Sequence, residues 1–260
     1  MIWALVLLIA VAVIVALRSN RMQEYFSAQG WSNPLSRRER DTLNKNFEFY
    51  RMLPSRSRRI FEYRVKRFRE TTEFIPREMP MITDQMEILI SASAIQLTFG
   101  FDDVILSHFE RVIVYPDQFF STTSQRFHKG EVNPRFGTIV LSWRYFVEGY
   151  AINEGVNLGL HEMAHALQLE NVIMNDEFGF MDDDDIRMWQ ALAGQEMEKI
   201  NNGTGHFFRE YGGTNHAEFF SVAVENFFER PMEFSEYNET LYRTMCRLLQ
   251  QDPLLLMKSI

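Results

Sequence analysis

Hydrophobic and polar positions along the chain follow two different periods, which divide it into helical and extended segments. Apolar residues spaced three and four apart predict helices over residues 41–53, 55–71, 83–99, 156–167, 186–200, 214–228 and 241–250. Two short β-branched runs, 111–115 and 138–143, are typical of buried strands. The polar stretch between them, 119–136, predicts a loop or hairpin. The pattern therefore predicts a helix-rich α+β fold with a small sheet.

The N-terminus carries an unbroken apolar run over residues 2–17. As a helix it would be about 25 Å long, slightly short of a hydrocarbon core of about 30 Å, and Arg18 and Arg21 could make up the difference by snorkelling. A cleaved signal peptide is the alternative. It normally has a basic start and a small-residue cleavage site, but no Lys or Arg precedes this run. The expected domains are a transmembrane anchor, a basic juxtamembrane linker and one folded domain, over residues 1–17, 18–40 and 41–260 respectively.

The distribution of charge predicts an orientation in the membrane and gives no indication of a nucleic-acid partner. Lys and Arg outnumber acids in residues 18–70, although the whole chain has a net charge of −8. Under the positive-inside rule we expect a single-pass protein of the inner (cytoplasmic) membrane, with its folded domain in the cytoplasm. The negative net charge gives no support for direct nucleic-acid binding. The single cysteine, Cys246, excludes an internal disulfide.

The candidate chemistry centres on the segment His161-Glu162-x-x-His165 in the predicted helix 156–167. Residues four apart share one helix face, so both histidines can direct a ring nitrogen at one metal ion. Glu162 lies beside that metal, where its carboxylate can take a proton from a metal-bound water, as in zinc hydrolases. The alternative is two histidines at the surface or core edge of an amphipathic helix. Apolar residues on most sides favour burial, where the two imidazoles and the carboxylate need partners.

A catalytic zinc site needs a third protein ligand and an open position for water. Glu218 and Glu225 are seven residues apart, so they share one face of the next apolar helix, which Thr214 or Asn215 can cap. Glu218 fits the third ligand, and Glu225 fits a hydrogen-bond partner for a ligand histidine. His216 is the rival ligand. The alternative for the two glutamates is a solvated acidic stripe.

Two separated blocks carry a family resemblance. His161-Glu162-x-x-His165, followed by Tyr211-Gly-x-Thr-Asn-x-Ala-Glu218-Phe-Phe, resembles the Mlc titration factor A family of bacterial zinc peptidases. The same two blocks resemble the catalytic domain of anthrax lethal factor. The paired blocks are far more specific than the first motif alone, and they imply a zincin-type metallopeptidase domain.

The resemblance to the Mlc titration factor A family extends from about Trp31 to the C-terminus. Further similar segments are residues 112–117, 137–143, 225–228 and 251–253. One position departs from the family pattern: Gln168 stands three residues after the second histidine, where family members have Asp. An amide there can form hydrogen bonds but brings no charge to the surroundings of the metal.

The resemblance implies a role for each matching residue. One zinc ion would be held by His161, His165 and Glu218, with Glu162 as the general base. Tyr211 would donate a hydrogen bond to the oxyanion or act as an acid toward the leaving amine.

Outside this set, Glu225 and Asn215 are expected to support the ligands through hydrogen bonds. The strand over 138–143 leads towards the zinc helix. Its position, together with the resemblance, makes Ile139, Val140 and Leu141 the candidate edge for a substrate peptide.

The expected function is that of a membrane-anchored, zinc-dependent metallopeptidase acting on a peptide or protein substrate. Because the family is named for binding a transcriptional repressor, a different class of function stays open. In that alternative the protein is a regulatory binding protein that sequesters a transcriptional regulator, and its peptidase activity is secondary.

Overall fold

The computed structural model describes residues 35–122, 124–151 and 154–257. The helices in chain order are α1 (Arg37–Asn46), α2 (Glu48–Met52), α3 (Ser55–Thr71), α4 (Asp84–Thr98), α5 (Trp143–Ala151), α6 (Leu158–Val172), α7 (Asp183–Asn201), α8 (His216–Glu229), α9 (Pro231–Tyr237), α10 (Glu239–Leu248) and α11 (Pro253–Met257). The strands are β1 (Glu73–Pro76), β2 (Arg111–Tyr115), β3 (Phe119–Ser121), β4 (Arg126–His128), β5 (Gly130–Asn133) and β6 (Thr138–Ser142). The fold is a helix-rich α+β fold with two small sheets, which confirms that part of the prediction.

The expectation of a transmembrane helix and an inner-membrane location is corrected. No helix in the described part of the chain is both long enough and apolar enough to cross a bilayer. The residues that motivated the expectation, 1–17, lie outside the described ranges. The first described helix, α1, starts inside the range predicted as a linker, and a capping box between Ser36 and Glu39 fixes its first turn.

The larger sheet has the strand order β1-β2-β6-β5. Strands β1, β2 and β6 run parallel to one another, and β5 pairs antiparallel with β6. Consequently β6 is an inner strand with partners on both sides, and β5 forms the edge. The predicted substrate edge at Ile139, Val140 and Leu141 is therefore wrong, because their backbone groups already belong to two ladders and their side chains are buried.

Helix α6 is at the centre of the molecule, in contact with α4, α8, β5 and β6. Alternate residues of the inner strands turn fully buried apolar side chains to the same core: Val112, Val114, Ile139 and Leu141. Helix α4 is buried along nearly its whole length, and the Thr83 side chain accepts a hydrogen bond from the Met86 N–H, which caps it as predicted.

Candidate metal centre

Helix α6 supplies the histidines of the metal centre from its first turns. Its N-cap is Asn157, whose side chain accepts a hydrogen bond from the Leu160 N–H at 3.0 Å. The cap fixes the start of the helix directly before His161. His161 and Glu162 are buried, and His165 is half-buried one turn further on. The helix therefore delivers both imidazoles to one side, as the spacing predicts.

Helix α8 supplies the carboxylate that meets them. The Asn215 side chain accepts a hydrogen bond from the Glu218 N–H at 2.9 Å, so Asn215 caps α8 and orients the turn that carries Glu218. Sequence analysis identified Asn215 as a supporting residue, and the structure gives it this capping contact. The rival ligand His216 is exposed, and it does not belong to the His161, His165 and Glu218 group that could hold a metal ion.

Three ligand atoms from two separate helices converge at one point. The distances are 3.2 Å between the Nε2 atoms of His161 and His165, 3.1 Å from Glu218 Oε2 to His161 Nε2, and 3.3 Å from Glu218 Oε2 to His165 Nε2. A tetrahedral zinc ion with ligands at about 2.0–2.1 Å keeps them about 3.3–3.4 Å apart. The donor set, two imidazoles and one carboxylate, is one used by catalytic zinc sites. The residues present therefore fit a divalent metal ion.

The charges around the site also favour a cation. Burial lowers the pKa of His161, but hydrogen bonds to Glu218 and Glu225 outweigh burial and raise the pKa to about 9. Burial raises the pKa of Glu218, but hydrogen bonds with His161 and His165 bring it well below its ordinary value. Both shifts mean that this pocket stabilises positive charge next to the imidazoles, which a bound metal ion would supply.

Glu225 is the fully buried carboxylate that holds His161 in place. Its Oε1 lies 2.7 Å from His161 Nδ1, and its Oε2 accepts a hydrogen bond from the Asn157 N–H at 2.6 Å. A carboxylate only accepts, so the Glu225 contact places a proton on Nδ1, and Nε2 would be the nitrogen that binds a metal ion. Glu225 thus ties the start of α6 to α8, in the role that the seven-residue spacing from Glu218 predicts.

Arg209 is part of this network, although the sequence pattern gave no indication of it. Its Nη2 donates to Glu225 Oε1 at 2.5 Å and lies 3.2 Å from His161 Nδ1. The guanidinium carbon is 5.7 Å from the centre of the Tyr211 ring. Arg209 therefore balances the charge of a carboxylate that has no solvent exposure. A sequence signal was available: a lone arginine two residues before Tyr211, close to an otherwise unbalanced acidic site.

Glu162 lies beside the ligand atoms in a buried position. Burial raises the pKa of its carboxyl to about 7, against the opposing effect of His161 and His165. A carboxyl with a pKa near neutrality can both accept and return a proton. Gly130, at the start of the edge strand, allows this arrangement: a Cβ atom there would lie 2.3 Å from Glu162 Oε1. The strand thus approaches the carboxylate more closely than any residue with a side chain permits.

Tyr211 stands at the mouth of the site, on a 3₁₀ turn over Glu210–Gly213. Its ring centre is 5.9 Å from that of His161. Burial and the Glu218 carboxylate raise the pKa of the phenol to about 12, so the hydroxyl stays protonated and can donate. Gln168, the departure from the family pattern, is half-buried on α6. Among the described residues the hydrogen bonds of the metal ligands do not involve it.

A cleft of about 520 Å³ opens in front of these side chains. The residues of the site that line it are His161, Glu162, Arg209, Tyr211 and Glu225. The cleft is also lined by residues 127–130 and by residues near the start of α6. A concave site with converging polar groups and shifted pKa values is typical of an active site.

A helix-rich α+β fold with a His-Glu-x-x-His helix and a downstream glutamate defines a protein of the metallopeptidase class. Comparison with known families agrees: the family described as "Glucose-regulated metallo-peptidase M90" matches residues 19–250. Because this match covers most of the chain, the chain belongs to that family. A metallopeptidase requires a metal ion, and the group of His161, His165 and Glu218 could bind it.

Curated relatives support the same assignment. The chain is 25% identical over 245 residues to an uncharacterized protein of Synechocystis sp., covering 87% of this chain and 88% of that protein. It is also 25% identical over 205 residues to Mlc titration factor A of Yersinia pestis and of Yersinia pseudotuberculosis, covering 71% of this chain and 74% of each relative. The resemblance to the Mlc titration factor A family that sequence analysis identified is confirmed.

The ligand group leads to a test of metal binding. Glu218→Ala should weaken binding of a divalent metal at least about tenfold, because one of three ligand atoms is lost, and Glu225→Gln should weaken it about 10- to 100-fold by releasing His161. Competition with a chromophoric chelator measures both affinities. His216→Ala is the matched control and should bind metal as the unchanged protein does. Equal metal binding by Glu218→Ala and the unchanged protein would contradict the ligand assignment.

The close approach of β5 to Glu162 leads to a second test. Gly130→Ala should lower the free energy of unfolding by about 1–3 kcal/mol, because the added methyl overlaps the Glu162 carboxylate. Gly194→Ala, inside α7, is the matched control, since the nearest atom to its Cβ is 4.0 Å away. It should be neutral or raise stability by up to about 1 kcal/mol. Urea denaturation of both variants measures the difference, and equal stability of the two would show that the approach is not tight.

Proposed function

We propose that the protein is a zinc-dependent peptidase that hydrolyses peptide bonds. The observation that carries the proposal is the convergence of His161 Nε2, His165 Nε2 and Glu218 Oε2 within 3.1–3.3 Å of one another. Zinc is the metal that this donor set most often holds in hydrolases. When bound, zinc would supply Lewis-acid chemistry, lowering the pKa of a water molecule and polarising a carbonyl group.

The side chains of the chain supply the proton transfers. Glu162, with its pKa near neutrality, accepts a proton from the attacking water and returns it to the leaving amine. Tyr211 keeps its hydroxyl proton and donates a hydrogen bond to the oxygen on which negative charge develops. Glu225 and Arg209 act at a distance from the substrate carbonyl, since they hold the imidazole of His161 in one orientation.

The substrate peptide would bind along β5 and not along β6 as the sequence predicted. Strand β5 is the edge strand, and within the described residues its outer side has no strand partner. Lys129 and Gly130, at its beginning, line the cleft next to Glu162. An extended peptide can add to such an edge through backbone hydrogen bonds, which brings its carbonyl groups past the catalytic carboxylate.

The role of Glu162 leads to a direct test. Glu162→Gln keeps the size and hydrogen-bonding capacity of the side chain but removes its basicity, so peptide hydrolysis should fall by about 10²–10⁴-fold in kcat. Metal affinity should stay within about twofold, because Glu162 is not among the ligands. Hydrolysis of a fluorogenic peptide and metal content are measured on the same preparation. Undiminished hydrolysis in the metal-loaded variant would remove Glu162 from the mechanism.

A second candidate function is regulatory binding. It is favoured by the similarity to proteins named Mlc titration factor A over 71% of this chain. In this function the protein binds a transcriptional regulator, and the metal site stabilises the binding surface. Both functions use the same fold. They differ in whether proton transfer by Glu162 is needed.

Paired variants distinguish the two functions. Glu162→Gln removes proton transfer and keeps the metal ligands, whereas His165→Ala removes a ligand. If hydrolysis is the function, cells with either variant should resemble cells lacking the protein. If regulator binding is the function, Glu162→Gln cells should resemble the wild type, and the variant should retain a purified regulator in a pull-down assay.

A further inference from the structure

One part of the wall of this cleft is formed by apolar side chains. Phe127, Val156 and Leu158 line it. Phe127 is 69% exposed and Val156 is 52% exposed, so two large apolar side chains face solvent in one concave surface. Single exposed apolar residues are common on protein surfaces, but a cluster inside a cleft indicates a ligand.

Phe127 lies on a short hairpin. Strands β3 and β4 pair antiparallel with Phe120 opposite Phe127, and the two rings meet edge-to-face at 5.5 Å. The base of the hairpin is anchored because Phe119 is buried and stacks on Tyr115 at 4.8 Å. The Phe127 ring, which lines the cleft, is therefore supported by its contact with Phe120.

Phe127 is also close in sequence to Gly130, the residue that lies against the Glu162 carboxylate. Lys129 is all that separates β4 from β5, and β5 begins at Gly130, against the Glu162 carboxylate. A peptide added to the β5 edge would consequently extend towards the hairpin.

The other half of the wall is fixed by the network around the metal centre. Val156 lies between Gly155, whose N–H donates to Glu229 at 2.8 Å, and Asn157, whose N–H donates to Glu225 at 2.6 Å. Backbone bonds on both sides of Val156 hold it in a set position relative to His161. Val156 is thus tied through the Asn157 N–H to Glu225, which also contacts His161.

We infer that Phe127, Val156 and Leu158 form a specificity subsite that takes a large aliphatic or aromatic side chain of a peptide substrate near the scissile bond. This inference rests on the proposed peptidase function. A peptide is favoured over a second copy of the chain because the wall is concave and is continuous with His161 and Glu162 in the same cleft. Burying apolar side chains on both partners removes them from water and stabilises the complex.

Cleavage of a peptide library tests the subsite. The metal-loaded full-length chain and its Phe127→Ala and Phe127→Leu variants are given the library, and products are sequenced by mass spectrometry. Phe136→Ala is the matched control, because Phe136 is 57% exposed but does not line the cleft. Wild type should prefer Phe, Leu or Met over Ser or Asp next to the cleaved bond by about tenfold in kcat/KM, mainly through KM. Phe127→Ala should lose most of this preference, while Phe127→Leu and Phe136→Ala should keep it.

An equilibrium measurement separates the subsite from the peptidase proposal. In the Glu162→Gln background, fluorescence anisotropy with a labelled Phe-containing peptide should give a Kd about tenfold higher after Phe127→Ala, and a Ser-containing peptide should bind equally to both. If wild type cleaves no peptide, the peptidase proposal fails and this binding comparison alone decides the subsite. Equal Kd values for both peptides would overturn the inference. So would a change in oligomeric state by light scattering after Phe127→Ala without a change in peptide selection.

Discussion

The hydrogen bond between His161 Nδ1 and the fully buried carboxylate of Glu225 is the interaction on which the metal centre depends. Glu225 has no solvent exposure, so its charge is compensated inside the protein by His161, the Asn157 N–H and Arg209. These contacts define where α6 starts, how its first imidazole is turned and how α8 lies against it. The remaining ligands follow, because His165 is one turn along the same helix and Glu218 is two turns back along the other.

The same network explains how an acidic site is kept in a buried part of the molecule. Glu162, Glu218 and Glu225 all lie within reach of the His161 imidazole. Arg209 offsets one of these carboxylates, and Glu162 avoids full ionisation through its raised pKa. Positive charge is therefore still favoured at the point where the three ligand atoms meet. Metal binding and proton transfer would thus depend on one electrostatic arrangement of three carboxylates around the imidazoles.

Sequence reasoning found the parts of this molecule that depend on local spacing. The His161, Glu162 and His165 pattern, the Thr83 cap and the β2 strand over Arg111–Tyr115 follow from short-range rules, and the structure has each of them where it was expected. The family resemblance also came from short motifs and is confirmed.

What sequence reasoning missed depends on pairing between distant segments. The apolar run of β6 is compatible with an edge or an inner strand, and the order β1-β2-β6-β5 decides between them. Gly130 gives no local sign that its missing side chain makes room for Glu162, thirty-two residues later in the chain. The apolar N-terminal run was interpreted from hydropathy as a membrane anchor, and the described helices do not support that interpretation.

The residues that could hold a metal ion come from two helices, and Glu218 is more than fifty positions from either histidine. An ion held there acts as a reversible cross-link within the core, and a ligand that binds the folded chain alone adds to its stability in proportion to the logarithm of its concentration. The lifetime of the folded protein in a cell would then follow the supply of that ion. Depletion would lower both the number of active molecules and the resistance of the rest to degradation.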